Sequence, residues 1–211
     1  SFKVKKTSKD FLKDAYVIIW TTTPWTIPVN RALAYSDKIK YSVINIGKDN
    51  EHFQNKKVVI ATELVKKVAE ECNFKNYEVL KEFNGVDFKN TICSHPLKNM
   101  GYEYDVPMLE GPFVTLEQGT GIVHSAPSHG PDDFNLCLKY GIKASNTIND
   151  GGLYSDEVPF FSGIHIFKAD KQVIEKLSEH KSLLGSNKLT HSFPHSWRSK
   201  APLVHRATPQ W

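Results

Sequence analysis

Short segments rich in β-branched and aromatic residues recur along this chain, and most are bounded by glycine, proline, asparagine or aspartate. Such segments predict strands, because β-branched and aromatic side chains pack well on a pleated sheet while the bounding residues favour turns. The predicted strands cover residues 15–22, 41–47, 56–62, 77–83, 113–118 and 121–126. This spacing predicts a β-rich core.

Three other segments have helical spacing of their apolar residues. The predicted helices cover residues 62–72, 131–141 and 169–180, with Thr62 and Asp170 as caps and Pro131 as a first helical residue. The second helix should end at Gly141 and bury Phe134, Cys137 and Leu138. Because strands and helices are interspersed without strict alternation, we expect an α+β fold with a mixed or antiparallel β-barrel-like core and peripheral helices.

Composition narrows the class of protein. The chain has 211 residues, 40% of them apolar, which suits one globular domain. Its longest apolar run, residues 15–20, is far shorter than the roughly 20 residues that cross a bilayer, so we expect no membrane span. Cys72, Cys93 and Cys137 form no C-x-x-C pair, which favours a reducing compartment over a disulfide framework or thiolate zinc site. The net charge of +4 permits a nucleic-acid partner without requiring one.

The two ends of the chain lack a clear hydrophobic period. We expect residues 1–14 and about 190–211 to be stems that connect a single domain, residues 1–211, to a longer protein. In the second stem, Pro194 breaks any helix that would align the histidines of "HSFPHSWR". Its Trp197 and Arg198 suit stacking on RNA and packing within a stem equally well.

The first motif with candidate chemistry is "WTTTPWT", residues 20–26. Pro24 should end the preceding strand, because it cannot donate to a sheet ladder. Thr21, Thr22 and Thr23 then place three hydroxyls at a strand end, between two tryptophans. A β-branched strand end with packing aromatics explains a lone threonine run equally well, so the functional interpretation depends on a second motif.

The second motif is "GTGIVHSAPSHGPDD", residues 119–133. Gly119 and Gly121 permit a close backbone approach, and their amides could cradle a ligand oxygen. His124 shares a strand face with Ile122, so it should point to the interior or into a pocket. A buried, satisfied histidine is the simpler alternative for His124.

Two adjacent carboxylates, Asp132 and Asp133, should lie in the first turn of the second predicted helix. The helix dipole and free amides there should hold their pKa values down, which suits binding a cation; one of the two could simply cap the helix. A metal site made of His124, His129 and an aspartate is a further alternative, although no H-E-x-x-H helix or nearby cysteine supports it. No G-x-S-x-G or Walker A motif occurs, so no side chain is a strong candidate nucleophile.

Together, "WTTTPWTIPVNRA", "GTGIVHSAPSHGPDDF" and "HSFPHSWRSKAPLVHRATPQW" resemble the editing (CP1) domain of the isoleucyl-tRNA synthetases, from about Tyr16 to Trp211. Valyl and leucyl enzymes typically carry T-T-R-P-[ED]-T in the first motif and H-D before the key aspartate, where this chain has "TTTPWT" and "HGPDD". The motifs look closer to the bacterial or organellar branch. The signatures of the synthetic site, H-I-G-H and K-M-S-K-S, are absent from the sequence.

The resemblance implies roles for specific residues. His124 matches the specificity histidine, and Asp133 matches the essential aspartate. Asp133, Thr22 and Thr23 would be catalytic. The substrate would be bound by Thr21, Thr22, Thr23, Trp25, Gly121, His124 and Asp133. No metal or cofactor is implied in this domain, whereas the parent enzyme would use ATP and magnesium.

The implied function is hydrolytic editing, in which valine is removed from mischarged isoleucine tRNA, with valyl-adenylate as a further substrate. The implied partners are the tRNA 3′ end and the catalytic domain of the same synthetase, in a monomer of the bacterial cytoplasm, with an organellar location left open. Three alternatives remain, namely an editing domain of the valyl or leucyl type, a metal-dependent hydrolase and a non-catalytic RNA-binding module.

Overall fold

The computed structural model describes residues 1–48, 50, 53–187 and 194–208. In these residues nine strands form one mixed sheet in the order β6-β4-β5-β2-β1-β7-β8-β3-β9. The strands are β1 (Phe2–Lys6), β2 (Tyr16–Val17), β3 (Ala32–Tyr35), β4 (Lys40–Ile46), β5 (Lys57–Ala61), β6 (Tyr77–Asn84), β7 (Ile92–Ser94), β8 (Asp105–Glu110) and β9 (Val123–Ser125). The α-helices are α1 (Val65–Glu71), α2 (Pro131–Lys139) and α3 (Ile166–Glu179). Four 3₁₀ helices cover Asp10–Leu12, Pro24–Val29, Thr62–Leu64 and Gly85–Phe88.

The sheet curls on itself without being closed by strand pairing in the described residues. Most neighbouring strands are antiparallel, whereas β2 pairs with β5 and β3 with β8 in parallel. The segment leading into β9 bonds back to the other side of the sheet: the Ala61 amide donates to Thr120 O at 2.9 Å, and the Tyr41 hydroxyl donates to Gly121 O at 2.9 Å. The expected mixed, barrel-like core is therefore confirmed.

Two hydrophobic clusters fill the interior. The larger lies along the sheet and includes the mutually packed rings of Tyr41, Phe83 and Phe88. The smaller lies under α3, and Trp25 belongs to it. The 3₁₀ helix Pro24–Val29 packs against α3, so the residues just before it lie where sheet and helix meet.

The strand predictions are partly confirmed. The segments 41–47, 56–62, 77–83 and 121–126 overlap β4, β5, β6 and β9, respectively. The segment 15–22 contributes only β2, with one further bond from the Ile18 amide to Val59 O. The strand predicted over 113–118 is wrong, because the chain turns there, with the Val114 amide donating to Gly111 O. Four strands, β1, β3, β7 and β8, lie outside the predicted segments.

Two predicted helix caps are wrong. Residues 62–64 form a 3₁₀ turn ahead of α1, and the Thr62 hydroxyl bonds to the Ser42 hydroxyl at 2.9 Å instead of a helix amide. Helix α3 begins at Ile166, and its cap is His165, whose ring accepts a hydrogen bond from the Phe167 amide at 3.3 Å. Asp170 therefore lies inside α3, one turn beyond its start.

Helix α2 begins at Pro131, as predicted, and Gly141, in a left-handed conformation with φ +75°, follows its end. Its predicted buried stripe is wrong for Phe134 and Leu138, which are 40% and 59% exposed. Leu136 and Cys137 are buried instead. The apolar period alone left the inward face of this short helix ambiguous.

The beginning of the chain is more regular than its composition suggested. Phe2–Lys6 is an internal strand between β2 and β7, with Phe2 and Val4 buried. This part of the predicted stem belongs to the core sheet, and its role as a connection stays a prediction. Residues 190–193 and 209–211 of the second predicted stem lie outside the described residues. In the described part of the chain, no helix is both long enough and apolar enough to cross a bilayer.

Candidate functional site

The threonine run, residues 21–23, precedes the 3₁₀ helix Pro24–Val29, and hydrogen bonds of its side chains connect residues within the run. The Thr21 hydroxyl accepts from the Thr23 amide at 3.0 Å and lies 3.2 Å from the Thr23 hydroxyl. All three threonines are half-buried, whereas Trp25 is buried. The run is therefore a defined turn with hydroxyls at the surface of the fold, rather than a continuation of β2.

Thr26 links this turn to His124. Its hydroxyl donates to Thr23 O at 2.8 Å, lies 3.4 Å from the Thr23 hydroxyl, and contacts His124 Nε2 at 2.9 Å. Because the Thr26 proton goes to Thr23 O, Nε2–H is the donor to Thr26. The Asn30 amide then donates to His124 Nδ1, 3.4 Å away, and to Ala32 O at 2.8 Å. The network fixes both the orientation and the tautomer of His124.

His124 is buried, as its strand position predicted. Burial and, to a smaller extent, the nearby His129 lower the pKa of His124 to about 4. The ring is consequently neutral at pH 7, when a buried imidazolium would have no compensating partner. A neutral, doubly held ring is suited to forming a rigid wall.

Asp133 is half-buried in the first turn of α2, and its Oδ2 accepts from the Ala126 amide at 3.2 Å. This bond joins the start of α2 to the residue after β9. Burial raises the pKa of Asp133 to about 6, against the opposing effect of the Ala126 amide. The expectation that the helix end would hold this pKa down is wrong, because desolvation of the carboxylate outweighs the stabilisation from local donors. Asp132 is exposed.

The two glycines of the second motif have different surroundings. Both have left-handed backbones, with φ of +78° at Gly119 and +73° at Gly121. A Cβ at Gly121 would lie 2.4 Å from the Ala61 Cβ, so only glycine allows this loop to approach β5. A Cβ at Gly119 would face Trp20 at an ordinary contact distance of 3.4 Å. Gly121 thus holds the loop against the sheet, while Gly119 lies beside the threonine run.

Two cavities border the threonine run. One, of about 250 Å³, is lined by Thr22, Thr23, Trp25, Phe167, Asp170, His195 and Pro202. The other, of about 410 Å³, includes Trp20, Thr21, Thr22, Gly119, Thr120 and Asp170 in its lining. Thr22 and Asp170 line both. His124 and Asp133 line neither cavity. His124 is connected to the threonine run through Thr26, and Asp133 is connected to the loop before α2 through its bond to the Ala126 amide.

His129 lies between the loop and later parts of the chain. Its Nδ1 donates to His205 O at 3.0 Å, and its Nε2 accepts from the Thr147 hydroxyl at 2.8 Å. Its ring packs edge-on against Trp25, with centroids 5.0 Å apart. Both ring nitrogens are committed to these bonds. Among the described residues, no group of three or more His, Cys, Asp or Glu side chains is placed to hold a metal ion.

The described part of the third motif forms a short turn, in which His195 pairs with Pro202 and His195 reaches the smaller cavity. Trp197 is 81% exposed, and the Arg198 guanidinium lies 5.7 Å from its ring centroid. His191 lies outside the described residues. Thr26 and Asn30 are site residues that the sequence analysis missed. Their positions in the sequence could have indicated them: Thr26 lies one 3₁₀ turn after Thr23, and Asn30 directly follows the 3₁₀ helix Pro24–Val29.

Comparison with known proteins identifies the class of this chain as a synthetase editing domain. A solved structure named GlLeuRS-CP1 has the same fold, with a TM-score of 0.64 over 83% of this chain and 85% of that chain at 16% identity. A family model described as "Leucyl-tRNA synthetase, editing domain" matches residues 35–162, more than half of the sequence. The chain belongs to this editing-domain family, whose members are hydrolytic modules within aminoacyl-tRNA ligases.

Several curated relatives of this chain are isoleucine–tRNA ligases. It is 61% identical to the isoleucine–tRNA ligase of Pelagibacter ubique, over all of this chain and 23% of that protein. It is 45% identical to the corresponding ligase of Gluconobacter oxydans, over 95% of this chain and 22% of that one. The ligase of Shewanella halifaxensis is 41% identical over 96% and 21%. The chain therefore spans between a fifth and a quarter of the length of these relatives.

Proposed function

We propose that this chain removes valine from mischarged isoleucine tRNA by hydrolysing the ester to the terminal adenosine. The observation that carries the proposal is the continuous network from the threonine turn through Thr26 to the buried, neutral His124. The isoleucine–tRNA ligases among its relatives favour the isoleucyl substrate over the leucyl or valyl one.

A synthetic site that accepts isoleucine discriminates poorly against valine, and isoleucyl enzymes are themselves the established example of this limit. A second site that admits valine and excludes isoleucine restores accuracy. In this chain the exclusion falls to His124. Its ring is held through both nitrogens, by Thr26 and Asn30, so it cannot rotate away to admit a larger side chain.

Asp133 holds the α-ammonium group of the misplaced valine. A carboxylate is the side chain that pairs best with an ammonium, and a pKa of about 6 leaves it mostly ionised at pH 7. Its bond to the Ala126 amide uses one oxygen and fixes the carboxylate on the rigid start of α2. The ammonium supplies a positive charge beside the half-buried carboxylate, which compensates for the loss of solvation of its negative charge.

The hydrolytic step needs a positioned water molecule rather than a protein nucleophile. The Thr22 and Thr23 hydroxyls orient this water, and backbone amides of the Gly119–Gly121 loop stabilise the developing oxyanion. Water attacks the ester carbon, the bond to the ribose oxygen breaks, and a proton from the water passes to that leaving oxygen. The neighbouring ribose hydroxyl assists this transfer.

The proposed partners are the 3′ end of isoleucine tRNA and the remainder of an isoleucine–tRNA ligase, within a monomer in the bacterial cytoplasm. Valyl-adenylate is a second proposed substrate. No metal or cofactor enters the hydrolytic step in this domain.

The test is deacylation of valyl-tRNA and isoleucyl-tRNA, both on isoleucine tRNA, by the full-length protein that contains this chain. We expect rapid loss of valine and slow loss of isoleucine, with rates unchanged by a chelator. Inhibition by the chelator would favour a metal-dependent hydrolase. Tight tRNA binding without turnover would favour an RNA-binding module, and a preference for threonyl-tRNA carrying the valine anticodon would favour a valyl-type domain.

A further inference from the structure

Asp170 has a role that its position in α3 does not explain. The helix starts at Ile166 and is capped by His165, so Asp170 lies beyond the first turn and caps nothing in its own helix. Its Oδ1 instead accepts from the Trp25 amide at 2.9 Å, across 145 positions of sequence. The carboxylate of one element thus bonds to the backbone of another.

The Trp25 amide needs an acceptor because of where it lies. The first amides of a helix have no partner within that helix. In the 3₁₀ helix Pro24–Val29, Pro24 has no N–H, and the capping residue Thr23 makes no side-chain cap bond. Trp25 is therefore the first donor of this helix, and Asp170 serves as its cap from α3.

Trp25 is held by two further contacts. The Tyr154 hydroxyl donates to Trp25 O, and the His129 ring packs against the indole. Of these three partners of Trp25, only Asp170 also lines the two cavities, which it does together with Thr22. Its displacement would move the start of the 3₁₀ helix and the threonine turn before it.

We propose that Asp170 is a positioning residue for editing, which fixes the threonine hydroxyls at the two cavities by capping the 3₁₀ helix at Trp25. The inference rests on the proposed function and adds a residue to it. It needs only a hydrogen-bond acceptor at Oδ1, so an amide oxygen of the same geometry should replace the carboxylate.

The experiment compares Asp170→Ala and Asp170→Asn in the full-length protein, with Glu175→Ala as the matched control. Glu175 is an exposed carboxylate on the same helix; its Oε1 lies 3.8 Å from Lys171 Nζ, and it lines neither cavity. Valyl-tRNA deacylation is measured as kcat and KM, and amide hydrogen exchange is followed in the peptide that contains Trp25. Thermal unfolding reports the fold of each variant.

We expect Asp170→Ala to lower kcat at least about tenfold with KM nearly unchanged, because misplaced catalytic groups lose rate more than binding. Exchange at Trp25 should accelerate in the same variant. Asp170→Asn should restore both quantities, and Glu175→Ala should change neither.

Wild-type kcat in Asp170→Ala would overturn the inference and leave the proposed function intact. A loss of rate in Asp170→Asn equal to that in Asp170→Ala would also overturn it, because the acceptor geometry would then not be the reason. Lack of turnover by the wild-type protein would instead refute the proposed function. If Asp170→Ala fails to fold, Asp170→Leu, which is closer in size to aspartate and also lacks the acceptor for the Trp25 amide, is measured in its place with the same expected and contradicting results.

Discussion

Replacing Gly121 by alanine should destabilise the domain, and the structure gives the size of the effect. The substitution puts a side chain on a backbone with φ of +73°, where the left-handed region costs about 1–2 kcal/mol. The new Cβ would also lie 2.4 Å from the Ala61 Cβ, and overpacking of this kind costs a further ~1–3 kcal/mol. The free energy of unfolding should therefore fall by about 2–5 kcal/mol.

Gly141 provides a matched control for this prediction. Its φ of +75° is nearly the same, but a Cβ there would meet nothing within 4 Å. Gly141→Ala should cost only the backbone part, about 1–2 kcal/mol. Urea unfolding of the 211-residue chain measures both variants, and the difference between them isolates the steric part. Equal losses in the two variants would refute the argument that Gly121 is required by its approach to β5.

Three further predictions concern the site. His124→Ala should raise the rate of isoleucyl-tRNA hydrolysis at least about tenfold, measured against the valyl rate, because the ring proposed to exclude the larger side chain is removed; an unchanged ratio would exclude His124 as the residue that limits side-chain size. Thr26→Val should weaken the same discrimination about two- to tenfold, the equivalent of one neutral hydrogen bond to His124 Nε2, and discrimination equal to wild type would mean that Thr26 does not hold the ring. The Asp133 carboxylate gains a proton as the pH falls through about 6, so kcat/KM for valyl-tRNA should decline about tenfold per pH unit below that value; a profile that stays flat down to pH 4.5 would contradict its role as an ionised anchor.

Local signals in the sequence predicted the local features of the fold. Pro131 and Gly141 marked the two ends of α2, because proline suits a first helical position and glycine adopts the left-handed backbone that follows a helix end. Strands β4, β5 and β6 were found because β-branched and aromatic residues are frequent in them.

Features that depend on distant partners were missed. In β1, Phe2 and Val4 point inward and Lys3 and Lys5 outward, a period of two that its high lysine content obscured. The four-residue strand β3 is buried throughout, so it shows no alternation. A strand of either kind becomes recognisable only when its neighbours in the sheet are known.

In the site, too, local features could be predicted from the sequence, whereas features that depend on distant residues could not. The sequence placed Asp133 at a helix start, which correctly located it but gave the wrong direction for its pKa, because burial depends on the whole fold. The contact between Thr26 and His124 joins residues 98 positions apart. The sequence identified the two motifs, whereas the structure shows the atoms through which they meet.

The most direct test of the central claim is a structure of the protein with a non-hydrolysable valyl-adenosine analogue. We expect the α-ammonium within hydrogen-bond distance of the Asp133 carboxylate, the valine side chain against the His124 ring, and the ester position beside Thr22 and Thr23. An analogue bound among Phe167, His195 and Pro202, with no contact to Asp133 or His124, would contradict the proposed function.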